Sequence, residues 1–456
     1  MNKKIILPML CALLLGVSSC TPSDGSSTPG GESSGSSDVT LTYWCFNNQV
    51  SDFERRFVPF TEQTGIKVNV QGIQASTWAE CTQEIVNAAY SGTLPDCADM
   101  ASESMSTLVK YNLIDSIDSY MTRDQAEIQE SLDEMHPMLR DAHKHNGHYY
   151  SLPTIWNTPI MYFNKNVLKA AGITETSPYY PHEGWTIDDF LHCCYAITKN
   201  NKSNSSTNVY GLKVQNQYFY SIEPWLNSFG TSVLNSSWTD TTIASQEAKD
   251  CFSFLFDLIN NNDVTKKVSP ELGGTDEYEL FFSNRVGFMI MGIPYVYSLY
   301  HGGFNDSLSD INNLREGYDV ITLPTVDGVD RALAGVGATA IFSQSQHKEE
   351  AWKLAKYLSS KKFQDEFLSN EVWAMPSINS AIDLLCQKEF FPENGDVFTK
   401  ALNNGSIVPA PENYSSIELD VRNWFSGFVS EINGYTIEGD GPNSLNGLAS
   451  KIRKYL

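Results

Sequence analysis

The sequence predicts an α/β protein. Short stretches of period-2 hydrophobicity alternate with helical stretches, helix start and stop signals separate the two, and RVGFMIMG is apolar enough for a strand covered on both faces. The first strand is VTLTYWC, where Val39, Leu41, Tyr43 and Cys45 alternate with Thr40, Thr42 and Trp44. SDFERRFVPFTEQTG follows as a helix, with Ser51 and Glu54 at capping-box spacing, Gly65 as a stop, and Pro59 predicting a kink or a late start. KVNVQGI reads as the next strand, and Thr77 with Glu80 three residues on opens the next helix. WTIDDFLHCCYAITK repeats the cap with Thr186 and Asp189. SQEAKDCFSFLFDLINN puts Ala248, Phe252, Leu255 and Ile259 on one helical face. YDVITLP and ATAIFSQ are short strands, and HKEEAWKLAKYLSS is an amphipathic helix carrying Ala351, Leu354, Ala355 and Leu358. No internal repeat of fixed period is visible.

A chain of 456 residues has room for two or three domains. Its formal charge of −23 repels nucleic acid and anionic membrane surfaces, so no nucleic-acid partner is expected. Residues 1–19 read as a signal peptide, with Lys3 and Lys4 ahead of an apolar run from Ile5 to Val17 that is too short to span a membrane. Residues 21–38 are rich in Ser, Gly and Pro and hold no Leu, Ile, Val or aromatic residue, so they form a tether spanning roughly 25 Å. Beyond Cys20 lie Cys45, Cys81, Cys97, Cys193, Cys194, Cys251 and Cys386; an odd count without a CxxC pair points to buried thiols, not to disulfides or structural zinc.

Several chemical motifs are set aside. GVGATA matches a phosphate-loop pattern, but a strand rather than a helix follows it. HKHNGH groups His143, His145 and His148 in an Asn-Gly turn, which reads as a solvated loop, so no metal is expected. GxSxG, HExxH and P-loop patterns are missing from the sequence, and no acid pair is singled out for glycoside hydrolysis. What stands out is 22 Tyr, 23 Phe and 9 Trp, many beside amides or acids where strands run into loops: Trp44 with Asn47 and Asn48, Trp156 with Asn157, and NQYFYSIEPW. An aromatic face packs the C–H side of a sugar while amides and carboxylates bond its hydroxyls, and open α/β sheets bind ligands at strand ends.

Segments along residues 39–450 carry a resemblance. In order they are FTEQTGIKVNV, SGTLPDCADM, YNLIDSIDSYM, YYSLPTIWNTPIMYFNKNVLKAAGI, GWTIDDFLHCCYAITK, FFSNRVGFMIMGIPYV, YDVITLPTVDG, EEAWKLAKYLSSKKFQDEF and VWAMPSINSA. The chain thereby resembles the extracellular solute-binding proteins of ABC importers, in the sugar-binding group that includes maltose-binding protein. The resemblance implies a two-lobe α/β fold of the periplasmic-binding-protein type (type II-like) with the ligand in a cleft between lobes. It places crossings near 153–158, 284–286 and 334–338, one lobe at 39–153 plus 285–335 and the other at 158–284 plus 336–456.

The resemblance also implies site positions: Trp44, Asn47 and Asn48 after the first strand, Glu103 beyond the PD turn, and Asn157 at the first crossing beside Trp156. Tyr220 and Trp225 fall in a loop of the second lobe, Tyr295 replaces a stacking tryptophan, and Trp373 and Tyr414 complete the set. The implied function is capture of a carbohydrate, an oligosaccharide in particular, for delivery to ABC permease subunits, without catalysis or cofactor and as a monomer. Val17-Ser18-Ser19-Cys20 is similar to a lipobox, which implies a lipid on Cys20 that anchors the chain to the outer face of the cell membrane. A binder of a non-sugar solute and a secreted glycoside hydrolase are the alternatives.

Overall fold

The computed structural model describes residues 39–456 apart from 202–206, 216, 262–263, 266–279, 297–316, 371–373, 404 and 431–433. Cys20, the lipobox, the tether and Trp373 therefore lie outside the described residues. Among the described residues no helix is long and apolar enough to cross a membrane.

The first sheet has strand order β12-β6-β11-β3-β1-β2, with β1 at Thr40–Phe46, β2 at Lys67–Ile73, β3 at Cys97–Ala101, β6 at Pro153–Asn157, β11 at Leu333–Ile341 and β12 at Met375–Pro376. β1 runs parallel to β2 and β3, while β11 lies antiparallel between β3 and β6. The alternation read in VTLTYWC is realised: Leu41, Tyr43 and Cys45 are buried under helix α1, Val50–Thr64, whose Phe53, Phe57 and Phe60 face them. That helix starts before Ser51, so the expected Ser51–Glu54 cap does not form, and it runs on through Pro59 to a left-handed Gly65. The buried Phe57 and Phe60 on either side of Pro59 offset the roughly 3 kcal/mol that an interior proline costs a helix.

A second sheet has the order β10-β7-β9-β8, with β7 at Ile160–Asn164, β8 at Tyr210–Lys213, β9 at Val286–Met291 and β10 at Tyr318–Ile321. RVGFMIMG supplies β9, which is buried between β7 and β8 as an apolar run requires. The capping box at Thr186 and Asp189 is present at the start of the Ile187–Thr198 helix.

The pairing redraws the expected lobe boundaries. β9 and β10 bond to β7, so Val286–Met291 and Tyr318–Ile321 pair in the second sheet and not in the sheet of β1–β3, although Val286, Met289, Tyr318 and Val320 share a core with Tyr43. Conversely, β11 pairs with β3 and β6, and Ala351, Trp352, Leu358, Phe363 and Leu385 share a core with Tyr43, Phe53 and Phe57. Only the last stretch, from Val408 through Ile417, Val421 and Trp424, packs in the second core with Trp225 and Phe252. The chain passes between the sheets at Thr158–Pro159, between β10 and β11, and again after β13 (Ser406–Ile407), which pairs with the start of β11. No passage occurs at 284–286, because the chain there enters β9 beside β8.

All seven cysteines from Cys45 onward are unpaired, and six are buried. Burial pushes the thiols of Cys45, Cys81, Cys193 and Cys386 up to about 12, which keeps them protonated and unreactive.

Candidate functional site

A cavity of about 600 Å³ opens where the passages between the two sheets meet. Strand ends build one side of it: Phe46 from β1, Ala101 from β3, Ile155, Trp156 and Asn157 from β6, and Gly335, Val336 and Gly337 from β11. The opposite side is the segment Gln217–Tyr220 and the helix Tyr414–Val429.

β11 is pinned at Val336 from both of its polar groups. The Val336 N–H donates to Ser102 Oγ at 3.2 Å, and its carbonyl accepts from His143 Nε2 at 2.9 Å. Ser151 completes the His143 ring at 2.9 Å, and burial pushes His143 down to about 4, so the imidazole is neutral. This corrects the reading of HKHNGH as wholly solvated: His145 and His148 sit on a hairpin (β4, Lys144–His145; β5, His148–Tyr149), but His143 is buried and positions a passage strand. With Val336 fixed, Gly335 lies beside the acid and ring of the site. A Cβ there would be 3.1 Å from Glu103 Oε1 and 3.3 Å from the Phe219 ring.

Of the expected site residues, the structure brings Glu103, Trp156, Asn157, Tyr220 and Tyr414 together at the cavity. Asn157 has an organising role: Nδ2 donates to Tyr220 Oη at 2.9 Å, and Oδ1 accepts from the backbone of Thr158 at 3.0 Å and Ile293 at 3.1 Å. It ties the first passage to the Tyr220 segment and leaves little of its amide for a ligand.

The structure places five expected residues elsewhere. Trp44 sits on the face of β1 opposite Tyr43 and bonds Gln71 at 3.0 Å. Asn47 and Asn48 are exposed, because the turn Asn47–Gln49 lays Asn47 over the bare backbone of Gly72 and directs Gln49 to the cavity instead. Trp225 is fully buried between Phe190 and Phe254 at ring distances of 5.7 and 5.4 Å. Tyr295 is fully buried edge-on against Tyr162 and Phe281, so it packs the core and does not stack on a ligand.

Residues not singled out in the sequence complete the wall. Trp78 opens helix α2, Trp78–Ser91, and meets Phe46 edge-on at 4.6 Å. Tyr218 and Phe219 lie within the quoted NQYFYSIEPW, and Tyr218 meets Tyr414 edge-on at 5.9 Å. Tyr414, Glu418 and Arg422 recur every fourth residue, so one helical stripe carries all three into the cavity; that spacing was a readable signal. The stripe is held against the first sheet's layer, since Ser415 Oγ donates to Ala79 O at 3.2 Å and Thr107 Oγ1 donates to Glu412 O at 2.8 Å.

The electrostatics are those of acids kept from water. Burial pushes Glu103 up to about 7, although Ser102 Oγ donates to it at 3.0 Å. Glu418 is also raised by burial, with Arg422 and Tyr414 opposing. Behind Tyr218, burial pushes Glu223 up to about 7 despite donors from Ser232 and from Val233 N–H at 3.1 Å. Asp99, beneath the first sheet, is pushed up to about 7 by the same cause. A carboxyl whose folded value is raised contributes stability that is complete below its unfolded value and lost as pH rises through the folded one. For Glu103 and Glu223 that window runs from about 4.5 to about 7. The chain is therefore expected to unfold at a lower temperature at mildly alkaline than at mildly acidic pH, and Glu223→Gln to flatten that slope. A melting temperature that rises with pH across this window would contradict it.

Among the described residues, three buried polar atoms on cavity-lining side chains have no partner: Trp156 Nε1, Arg422 Nε and Gln49 Oε1. The first two are donors whose desolvation an acceptor brought by a ligand offsets. Among the described residues, no group of His, Cys, Asp and Glu is arranged to hold a metal ion. The arrangement supplies rings, buried acids and unmet N–H donors, and so suits reversible capture of a polyhydroxylated molecule.

Comparison with known proteins bears on this geometry. A family model described as bacterial extracellular solute-binding protein matches residues 48–365. An arabinooligosaccharide-binding protein of Bacillus subtilis is 24% identical over 435 residues, covering 92% of this chain and 87% of that one. An ABC substrate-binding protein of Listeria monocytogenes in complex with cycloalternan superposes with a TM-score of 0.75 at 18% identity, over 91% of this chain and 99% of the other. The maltotriose-binding protein of Thermus thermophilus, bound with maltotriose, gives a TM-score of 0.66 at 16% identity over 91% and 99%.

Proposed function

Because the chain belongs to the bacterial extracellular solute-binding proteins, we propose that it captures a carbohydrate, specifically an oligosaccharide, in the interlobe cavity and hands it to an ABC permease. The observation that carries this reading is the cavity wall: Trp78, Trp156, Tyr218, Phe219 and Tyr414 around the carboxylates of Glu103 and Glu418. Rings of this kind pack sugar C–H faces, and the acids accept from hydroxyls. The unmet N–H groups of Trp156 and Arg422 take ring or hydroxyl oxygens. A volume of about 600 Å³ suits two or three sugar rings better than one. The names of related proteins support the class, since arabinooligosaccharide- and maltotriose-binding proteins are among them.

The chain acts by binding alone. Affinity in the micromolar range, about −8 kcal/mol, is tight enough to scavenge and weak enough to release. Cys20 carries the lipid anchor in this reading, and the Ser/Gly/Pro tether gives the binding lobes reach. A thermal-shift screen with arabino-, malto- and gluco-oligosaccharides tests the proposal, because a ligand that binds only the folded state raises its stability by RT ln(1 + [L]/Kd), about 2.7 kcal/mol at a hundredfold excess over Kd. A shift from an oligosaccharide is expected. A flat response to every saccharide, with a shift from a peptide or another solute, would replace the sugar reading.

A further inference from the structure

We propose that the cavity is selective by charge and takes a saccharide bearing a protonated amine, with the ammonium group seated between Glu103, Glu418 and the tyrosine pair. This deepens the carbohydrate reading and rests on it.

Three features of the cavity point this way. The first is an imbalance of charge. Glu103 is 4% exposed and Glu418 5% exposed, and Glu223 lies directly behind Tyr218 at 1%. Among the described lining residues Arg422 is the sole basic side chain, and its contact with Glu418, Nη1 to Oε1, is a long 3.4 Å. Glu103 has a hydroxyl, Ser102 Oγ, and no basic side chain among its hydrogen-bond donors. Glu103 has no counter-ion and Glu418 only this long contact, so ionising them while buried is costly, and a cation brought by the ligand offsets that cost.

The second feature is the rings. Tyr218 and Tyr414 meet edge-on, and both sense the charges of Glu103 and Glu418, which places two acids and two π-systems around one region. An aromatic face and a carboxylate both attract a cation and both disfavour an anion. The third feature is independent of the acids. Trp156 Nε1, on a side chain 1% exposed, and Arg422 Nε, on one 8% exposed, are buried donors without partners on residues of the same cavity. They call for oxygen acceptors on the same ligand that supplies the cation. A neutral sugar meets the second demand only, whereas a sugar with one hydroxyl replaced by an ammonium meets both. Uronate-bearing or phosphorylated sugars are disfavoured, since their charge falls beside Glu103 and Glu418, with only Arg422 among the described lining residues to balance three acids.

The test compares ligands that differ only in this group. Fully deacetylated chito-oligosaccharides are titrated calorimetrically against cello-oligosaccharides of equal length, and glucosamine and galactosamine against glucose and galactose, at a pH near 7, where the amines still carry protons and Glu103, pushed up to about 7 by burial, ionises beside them. The amine-bearing member of at least one pair is expected to bind about tenfold more tightly, the size of one charge-assisted hydrogen bond. That ratio is expected to fall to within about twofold in Glu103→Gln, and in Glu418→Gln should the first variant fold poorly. Neutral members binding as tightly as their amine partners would overturn the charge selectivity and leave the carbohydrate reading standing. So would a preference that survives in both variants, or binding confined to neutral saccharides outside these pairs. If no saccharide binds at all, neutral or cationic, both readings fall together.

Discussion

Gly335→Val is expected to weaken saccharide binding by roughly a hundredfold, about 3 kcal/mol, while leaving the protein folded. The expectation follows from where β11 carries Gly335. A first carbon added there already stands 3.1 Å from Glu103 Oε1 and 3.3 Å from the Phe219 ring. Valine adds two methyl groups beyond that carbon and displaces an acid and a ring of the cavity at once. Valine suits a strand, and the backbone at this position is ordinary for β11, so the penalty falls on the site and not on the sheet. The neighbouring pins on Val336, from Ser102 and His143, are backbone contacts that the substitution does not remove.

Trp225→Ala has its expected effect on the other ledger. Trp225 is fully buried against Phe190 and Phe254 in the core under the second sheet. Truncating such a side chain costs about 3–5 kcal/mol through lost burial and a residual cavity. Urea unfolding is expected to show that loss, and the folded variant is expected to bind saccharide within about twofold of the original chain. A large fall in affinity without a fall in stability would restore Trp225 to the site. The contrast matters because Trp225 and Tyr220 stand five residues apart and look alike as aromatic candidates, yet one lines the cavity and the other fills the core.

That pair shows what the amino-acid sequence carries and what it omits. Local signals were legible: the alternation in VTLTYWC, the capping box at Thr186 and the two-sided burial of RVGFMIMG are decided by neighbours within a few residues. The class of fold was legible for the same reason. Lobe boundaries were not, because β9 finds β7 across more than a hundred residues and nothing local in Val286–Met291 names its partner.

The site divides along the same line. Glu103, Trp156, Asn157, Tyr220 and Tyr414 sit at strand ends or helix starts, where an open α/β sheet presents residues to a ligand. Trp44 failed because the pleat that buries Tyr43 necessarily turns its neighbour to the other face. Tyr295 failed because an aromatic after a buried strand packs as readily on a neighbouring tyrosine as on a sugar. Glu418 and Arg422 went unnoticed for a different reason. On a helix, polar residues at a spacing of four normally mark the solvent side, and only the opposing layer turns that stripe into a cavity wall.

The proposal that the cavity takes a carbohydrate is tested most directly by a paired calorimetric titration. The oligosaccharide that gives the largest thermal shift is titrated into the original chain and into Gly335→Val under the same conditions. One saturable site of micromolar affinity is expected in the original chain, and a dissociation constant roughly a hundredfold higher in the variant. Equal affinity in the two folded proteins would put the saccharide somewhere other than the cavity lined by Glu103, Trp156 and Tyr414, and would contradict the assignment.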